Sequence, residues 1–208
     1  MKNTVTINEG AADGAIADWL ENCLRAAMSV GTGPVAISVP GGSTPFPILA
    51  ELVLRDLDFA RLEVWPNDDR IVPEAHEASN TGKLRALLEP VGTRVVALTE
   101  DAVPPHFALT WLGMGEDGHI ASLFPNTDPD PADLCSIRRL TPDPLPPHAP
   151  FDRITLTVPA LLDCDALLFV IRGGDKRAVF DAAVAGASDL PVARLLAARK
   201  GQPVTCFT

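Results

Sequence analysis

Residues 113–119, Gly-Met-Gly-Glu-Asp-Gly-His, set a histidine two positions after a carboxylate inside a glycine-rich bend. A histidine beside a carboxylate is the arrangement of a general base with an orienting partner. The chain contains no Tyr, so proton chemistry falls to His, Asp, Glu, Lys or Cys. Asp117 and His119 are therefore the candidate catalytic pair. A lone loop histidine is more often structural, but the flanking glycines make this one less ordinary. Gly113, Gly115 and Gly118 also match the GxGxxG spacing of a dinucleotide loop. Against that reading, Glu116 and Asp117 would face a pyrophosphate. Pro125 also limits any following helix to about one or two turns.

Three further segments carry binding chemistry. Residues 41–45 are Gly-Gly-Ser-Thr-Pro. Gly41 and Gly42 allow close backbone approach to a ligand. Ser43 or Thr44 could cap a helix that Pro45 starts, and free N–H groups there attract an anion such as phosphate. The alternative is a tight strand–helix turn. No Gly-Lys-Ser/Thr follows, so it is not a Walker A loop. Residues 67–70, Asn-Asp-Asp-Arg, are either a solvated turn with a local ion pair or a site element. In the second case Asp68 would meet sugar hydroxyls and Arg70 a phosphate. Arg172 and Lys176 flank two glycines in 171–176, which is otherwise an ordinary loop and helix start. There is no GxSxG elbow, no HExxH, and no His/Cys cluster at metal spacing, so no metal or cofactor is expected.

These segments need a scaffold, and the hydrophobic pattern supplies one. Short apolar runs at 4–8, 34–40, 62–65, 94–99, 107–113, 153–159, 166–173 and 203–208 read as strands. Helical patterns fall at 16–28, about 45–56, 80–89 (with Asn80 as a possible N-cap) and about 174–186. This alternation predicts an α/β, three-layer Rossmann-like fold: a mainly parallel central sheet with helices on both faces. Ligands in such folds bind beyond the carboxyl ends of the strands. All four candidate segments follow predicted strands. Residues 1–208 read as a single domain without internal repeat or linker.

Composition narrows the partners. Lys and Arg total 17 against 27 Asp and Glu, a net charge of −10, which argues against nucleic acid. A positive pocket on an acidic protein remains allowed. Of 20 prolines, eight lie in 125–150, Pro147 among them. A loop that long is usually functional or disordered. It reads either as a rim of the site or as a surface excursion. The four cysteines are dispersed, and three sit in apolar surroundings, as reduced core residues do. The first ten residues contain no apolar leader region, and no apolar run is long enough to span a membrane. The expectation is a cytoplasmic protein without a membrane partner.

Together the segments resemble the family that holds 6-phosphogluconolactonase and glucosamine-6-phosphate deaminase. The resemblance is carried by GGSTP (41–45), NDDRIVPEAHEASN (67–80), LGMGEDGHIASLFP (112–125), RITLTVPALL (153–162) and VIRGGDKRAVF (170–180), in the family's order over nearly the whole chain. It implies hydrolysis of 6-phospho-D-glucono-1,5-lactone to 6-phosphogluconate, in the oxidative pentose phosphate pathway; a monomer or weak homodimer is expected. It places the water-activating base on His119, with Asp117 as its motif partner. Gly41, Gly42, Ser43, Thr44, Asp68, Arg70, Gly115, Arg172 and Lys176 look like substrate and phosphate contacts. Asn67 stands where the family usually has Ser, Asp69 where it has Glu, and Pro40 where a small residue is commoner. The family's helix between residues 99 and 107 is expected to be missing. The deaminase alternative needs an acid in a Phe-Asn-Glu-Pro context after the DGH segment. Residues 122–127 contain no Glu, and Asp128 is the nearest acid. A non-catalytic sugar-phosphate sensor would need a partner domain for which 208 residues leave no room.

Overall fold

A computed structural model describes residues 4–146 and 149–208. Pro147 lies outside the described residues. Seven strands form a parallel sheet: β1 (Val5–Asn8), β2 (Val35–Val39), β3 (Leu62–Pro66), β5 (Arg94–Val95), β6 (Leu109–Leu112), β9 (Leu167–Val170) and β10 (Val204–Phe207). Their spatial order is β1-β10-β9-β6-β2-β3-β5. Helices α1 (Asp13–Ser29), α2 (Pro45–Leu52) and α3 (Asn80–Leu88) cover one face. Helices α4 (Val158–Leu162), α5 (Gly174–Val184) and α6 (Pro191–Ala198) cover the other.

The central strands are mostly apolar because both faces are buried, though Ser38 in β2 and Thr110 in β6 are polar. In β9, Leu168 and Val170 join the core under α1–α3, while Leu167 and Phe169 join the core under α4–α6. The same alternation runs through β2, where Ile37 and Val39 oppose Ala36. In α1 the buried residues Ile16, Leu20, Leu24 and Met28 recur every fourth position, one stripe against the sheet.

From β2 the chain winds outward through β3 to β5. From β6 it winds the other way through β9 to β10. The order therefore reverses between β2 and β6. The crevice beyond the carboxyl ends of that strand pair is where an open α/β sheet holds its ligand. Residues 41–45 leave β2 there, and residues 113–119 leave β6.

The structure corrects several expectations. Residues 67–70 are not a solvated turn: Asn67, Asp68 and Asp69 are buried, and Asp68–Arg70 is β4. With β8 (Arg153–Leu156) and β7 (Ile137–Leu140) it makes a separate antiparallel sheet in the order β4-β8-β7. The 153–159 run thus joins this small sheet, and its last residues start α4. Residues 125–150 are not all loop, because β7 interrupts them. The expected strand at 94–99 pairs only over Arg94–Val95 before the chain leaves the sheet edge. Helix α3 is capped by Ser79, whose side chain accepts from Gly82 N at 3.0 Å, rather than by Asn80. The connection at 96–106 carries a turn and no helix. Of the cysteines, Cys164 and Cys206 are buried, Cys23 is half-buried and Cys135 is exposed; all four are free. No described helix is long and apolar enough to cross a membrane.

Candidate active site

Residue by residue, the predicted site assembles. Gly41, Gly42, Ser43, Thr44, Asp68, Arg70, Gly115, His119, Arg172 and Lys176 all line one cavity of about 270 Å³ at the β2/β6 crevice. That is near the small end of the range for small-molecule sites. Asp117 stands behind His119 and faces an adjoining cavity of about 670 Å³, walled by Phe124, Pro125, Pro142 and Leu145. Part of the proline-rich segment therefore does form a rim beside the histidine.

The DGH bend has a compact geometry. His119 Nδ1 lies 2.5 Å from Asp117 Oδ1, and His119 N donates to the same oxygen at 3.2 Å. The imidazole stacks obliquely on Phe124, with ring centroids 4.6 Å apart. Gly115 N donates to His119 O, and Gly118 N to Gly115 O. Two glycines are required here. Gly118 has φ +75°, which favours glycine. At Gly115 a Cβ would lie 2.2 Å from the His119 ring. Gly115 is thus first of all the space the imidazole occupies. No helix follows the bend: residues 120–123 fold back through bridges of Ile120 to Met114 and Leu123, so the dinucleotide reading fails.

The same cavity is also lined by basic residues. The first turn of α2 contains Pro45 and Pro47, which lack N–H groups. Thr44, the N-cap, makes no side-chain cap hydrogen bond, and Ser43 and Thr44 both line the cavity. Arg70 donates through Nη1 to Ala78 O at 2.9 Å, and its buried Nε has no partner among the described residues. Arg172 is shared with Asp13, 3.0 Å away. Lys176 sits in the first turns of α5 and lines both cavities. Asp68 is the one carboxylate in the lining, against three cations.

Asp68 is 8% exposed, and burial pushes its carboxyl above the usual carboxylate range. A hydrogen bond from Ser122 and the charge of Arg70 pull it back down. The neighbouring Asp69 does a different job. Its carboxylate accepts from Arg70 N (2.8 Å), Asn80 N (2.6 Å), Thr81 N (2.9 Å) and Ser79 Oγ (3.2 Å), tying β4 to the start of α3.

Sequence reasoning missed Asn80, Trp111, Ala121 and Ser122 at this site. Asn80, Trp111 and Ala121 line the cavity, and Ser122 lies behind Asp68. Asn80 Nδ2 donates to Asp68 O at 2.9 Å. Asn80 lay inside the quoted 67–80 segment and Ala121 and Ser122 inside the quoted 112–125 segment, whereas Trp111 gave no signal. Among the described residues, no three His, Cys, Asp or Glu side chains converge on a possible metal position.

Comparison with known proteins places the chain in a family. The profile of the family described as glucosamine-6-phosphate isomerases/6-phosphogluconolactonase matches residues 8–103 and 93–205. A 6-phosphogluconolactonase of Neisseria meningitidis is 32% identical over 205 residues, covering 86% of this chain and 87% of that protein. One from Pseudomonas putida is 35% identical over 196 residues, covering 83% of this chain and 80% of that protein. In fold, the chain superposes on the 6-phosphogluconolactonase of Thermotoga maritima with a TM-score of 0.81 at 20% identity, covering 99% of both chains. The Trypanosoma brucei 6-phosphogluconolactonase gives a TM-score of 0.81 at 21% identity, covering 99% of this chain and 97% of that one. The chain belongs to the glucosamine-6-phosphate isomerase/6-phosphogluconolactonase family.

Proposed function

We propose that this protein hydrolyses 6-phospho-D-glucono-1,5-lactone to 6-phosphogluconate, a step of the oxidative pentose phosphate pathway. The observation that carries the proposal is the His119–Asp117 pair at a cavity that Arg70, Lys176, Arg172 and the 41–44 loop also line.

The chemistry follows from that layout. The phosphate sits among the cations and the Ser43 and Thr44 hydroxyls, which fixes the lactone carbonyl near His119. Asp117 accepts from Nδ1–H, which leaves Nε2 as the base. Nε2 takes a proton from water as the water oxygen bonds to C1. Oriented donors stabilise the tetrahedral oxyanion. The C1–O5 bond then breaks, and O5 takes the proton back from the imidazolium. Asp68 accepts a sugar hydroxyl. An activated ester needs neither a covalent nucleophile nor a metal for this step.

The deaminase alternative finds no support in the placement of Asp128. That residue has φ +45° and is bound by Arg194, away from the cavity lining. We read the chain as one domain, since both cores share one sheet, acting in the cytoplasm as a monomer or weak homodimer without nucleic acid. The test is lactone hydrolysis corrected for the spontaneous reaction. His119→Ala should lower kcat/KM by at least about 10²-fold while 6-phosphogluconate still binds. Unchanged turnover would remove His119 from the mechanism. Robust ammonia release from glucosamine 6-phosphate would replace the lactonase assignment.

A further inference from the structure

The loop that carries His119 also delivers a second polar side chain to the site. Ser122 is 1% exposed, and its Oγ donates to Asp68 Oδ2. Its backbone N is held in turn by Thr155 Oγ1 at 3.3 Å. Between His119 and Ser122 the backbone passes through Ala121 at φ +49°, a region L residues avoid. Such strain persists only where its surroundings over-determine it, and it clusters at functional sites.

Asp68 is thereby held from several sides. Arg70 and Asp69 face it from its own strand, Arg153 from β8, Asn80 from α3 and Ser122 from the DGH loop. Oδ2 belongs to Ser122. Among the described residues Oδ1 has only a long contact from Asn80 Nδ2, at 3.5 Å, and Asp68 lines the cavity. One carboxylate oxygen is thus engaged and the other is available to a ligand.

We propose that Ser122 is a positioning residue for the reaction: its hydroxyl holds the Asp68 carboxylate anionic and turned so that Oδ1 accepts a hydroxyl of the bound sugar. The proposal rests on the lactonase reading. It also makes the base and the hydroxyl acceptor one unit, because His119 and the residue orienting Asp68 lie three positions apart on one loop. Burial works against the anion, and the Ser122 bond is the first opposing influence.

The sign of the effect is fixed by this arrangement. Ser122→Ala removes a donor to the carboxylate, so Asp68 ionises only at higher pH. The ratio of wild-type to variant kcat/KM, measured across pH, cancels the titration of His119 and of the substrate phosphate. It should be smallest at alkaline pH, where Asp68 is ionised in both proteins, and rise as pH falls, levelling at about tenfold for a limb displaced by about one unit. Ser122→Thr keeps the hydroxyl and should return the ratio to flat. If Ser122→Ala does not fold, Ser122→Cys, a small side chain with a weak donor, should show the same rise. A flat ratio in the Ala or Cys variant would overturn the proposal.

A second arm is independent of turnover. The ¹³Cγ titration of Asp68 should move to higher pH in the Ala or Cys variant. An unmoved titration would also overturn the proposal. Absence of lactone hydrolysis in the wild-type chain would instead sink the lactonase reading, and the carboxyl titration would still decide what Ser122 does.

Discussion

Gly115→Ala is the sharpest single perturbation of this site. An added Cβ at residue 115 would lie 2.2 Å from His119 Cε1 and Nδ1, and 2.6 Å from Asp117 Oδ1. Ordinary carbon contacts are about 3.5–4.0 Å, so the imidazole must retreat by about 1 Å or more. It cannot retreat freely, because Phe124 lies against the ring and Asp117 holds Nδ1. The backbone itself tolerates alanine: Gly115 is not among the positive-φ residues. The fold should therefore survive while the base is displaced. A misplacement of about 1 Å at the reacting centre costs on the order of 10²-fold, or about 2.7 kcal/mol of transition-state stabilisation. The loss should fall mainly on kcat, since Ser43, Thr44, Arg70 and Lys176 stand on other elements. Initial rates of lactone hydrolysis, corrected for spontaneous opening, give kcat and KM, and thermal unfolding reports on the fold. A kcat within about threefold of wild type in a normally folded variant would refute the reasoning. Nδ1 registry with Asp117 would then not be what sets the rate.

Two further outcomes test the scaffold. Asp69→Ala strips the acceptor from three backbone N–H groups and the Ser79 hydroxyl in a buried corner, and should cost about 3 kcal/mol in urea unfolding, within the range for hydrogen bonds to a buried charge; a loss below about 0.5 kcal/mol would show that the corner re-forms without it. Far from the site, His106 touches Asp163 Oδ1 at 2.7 Å and Asp165 Oδ1 at 3.1 Å, and the two carboxylates raise its pKa above the ordinary 6.5. A raised histidine stabilises the fold fully below the unfolded value and loses that contribution as pH climbs through the folded one. The stability gap between wild type and His106→Gln should accordingly be widest near pH 5–6 and close at alkaline pH; a gap that widens with pH would invert the assignment.

How much was legible in the sequence follows from the range of the interactions. The parallel sheet was readable because each central strand buries both faces and so shows as a largely apolar run, as in 167–170 and, but for Ser38, 35–39. The candidate residues were readable because chemistry in such a fold follows strands, which is a local rule. What failed was everything that needs a partner distant in the chain. Residues 153–156 look like another core strand, and only their pairing with 68–70 and 137–140 makes them antiparallel. Helix α6 went unread although it is as long as α2; its buried Val192, Leu195 and Leu196 meet the core under α4–α6, a partner distant in the chain. The Ser79 cap and the Asn80 side chain trade places because Asp69 and Asp68, about eleven residues earlier, claim the backbone and the amide respectively.

The same distinction explains the charge. A net −10 suggests a poor site for a sugar phosphate, yet the cavity lining holds three cations and one carboxylate. Much of the acidic excess lies outside it. Asp128 and Asp189 are bound to Arg194, and Asp163 and Asp165 face His106. Asp13 even draws one cavity cation, Arg172, toward the rim. Inside, Asp68 escapes repelling the phosphate only if it turns to a hydroxyl and shares its charge with Ser122 and Arg70. An acidic protein can thus hold an anion when its carboxylates are paired away from the cavity and the one inside it faces hydrogen-bond donors.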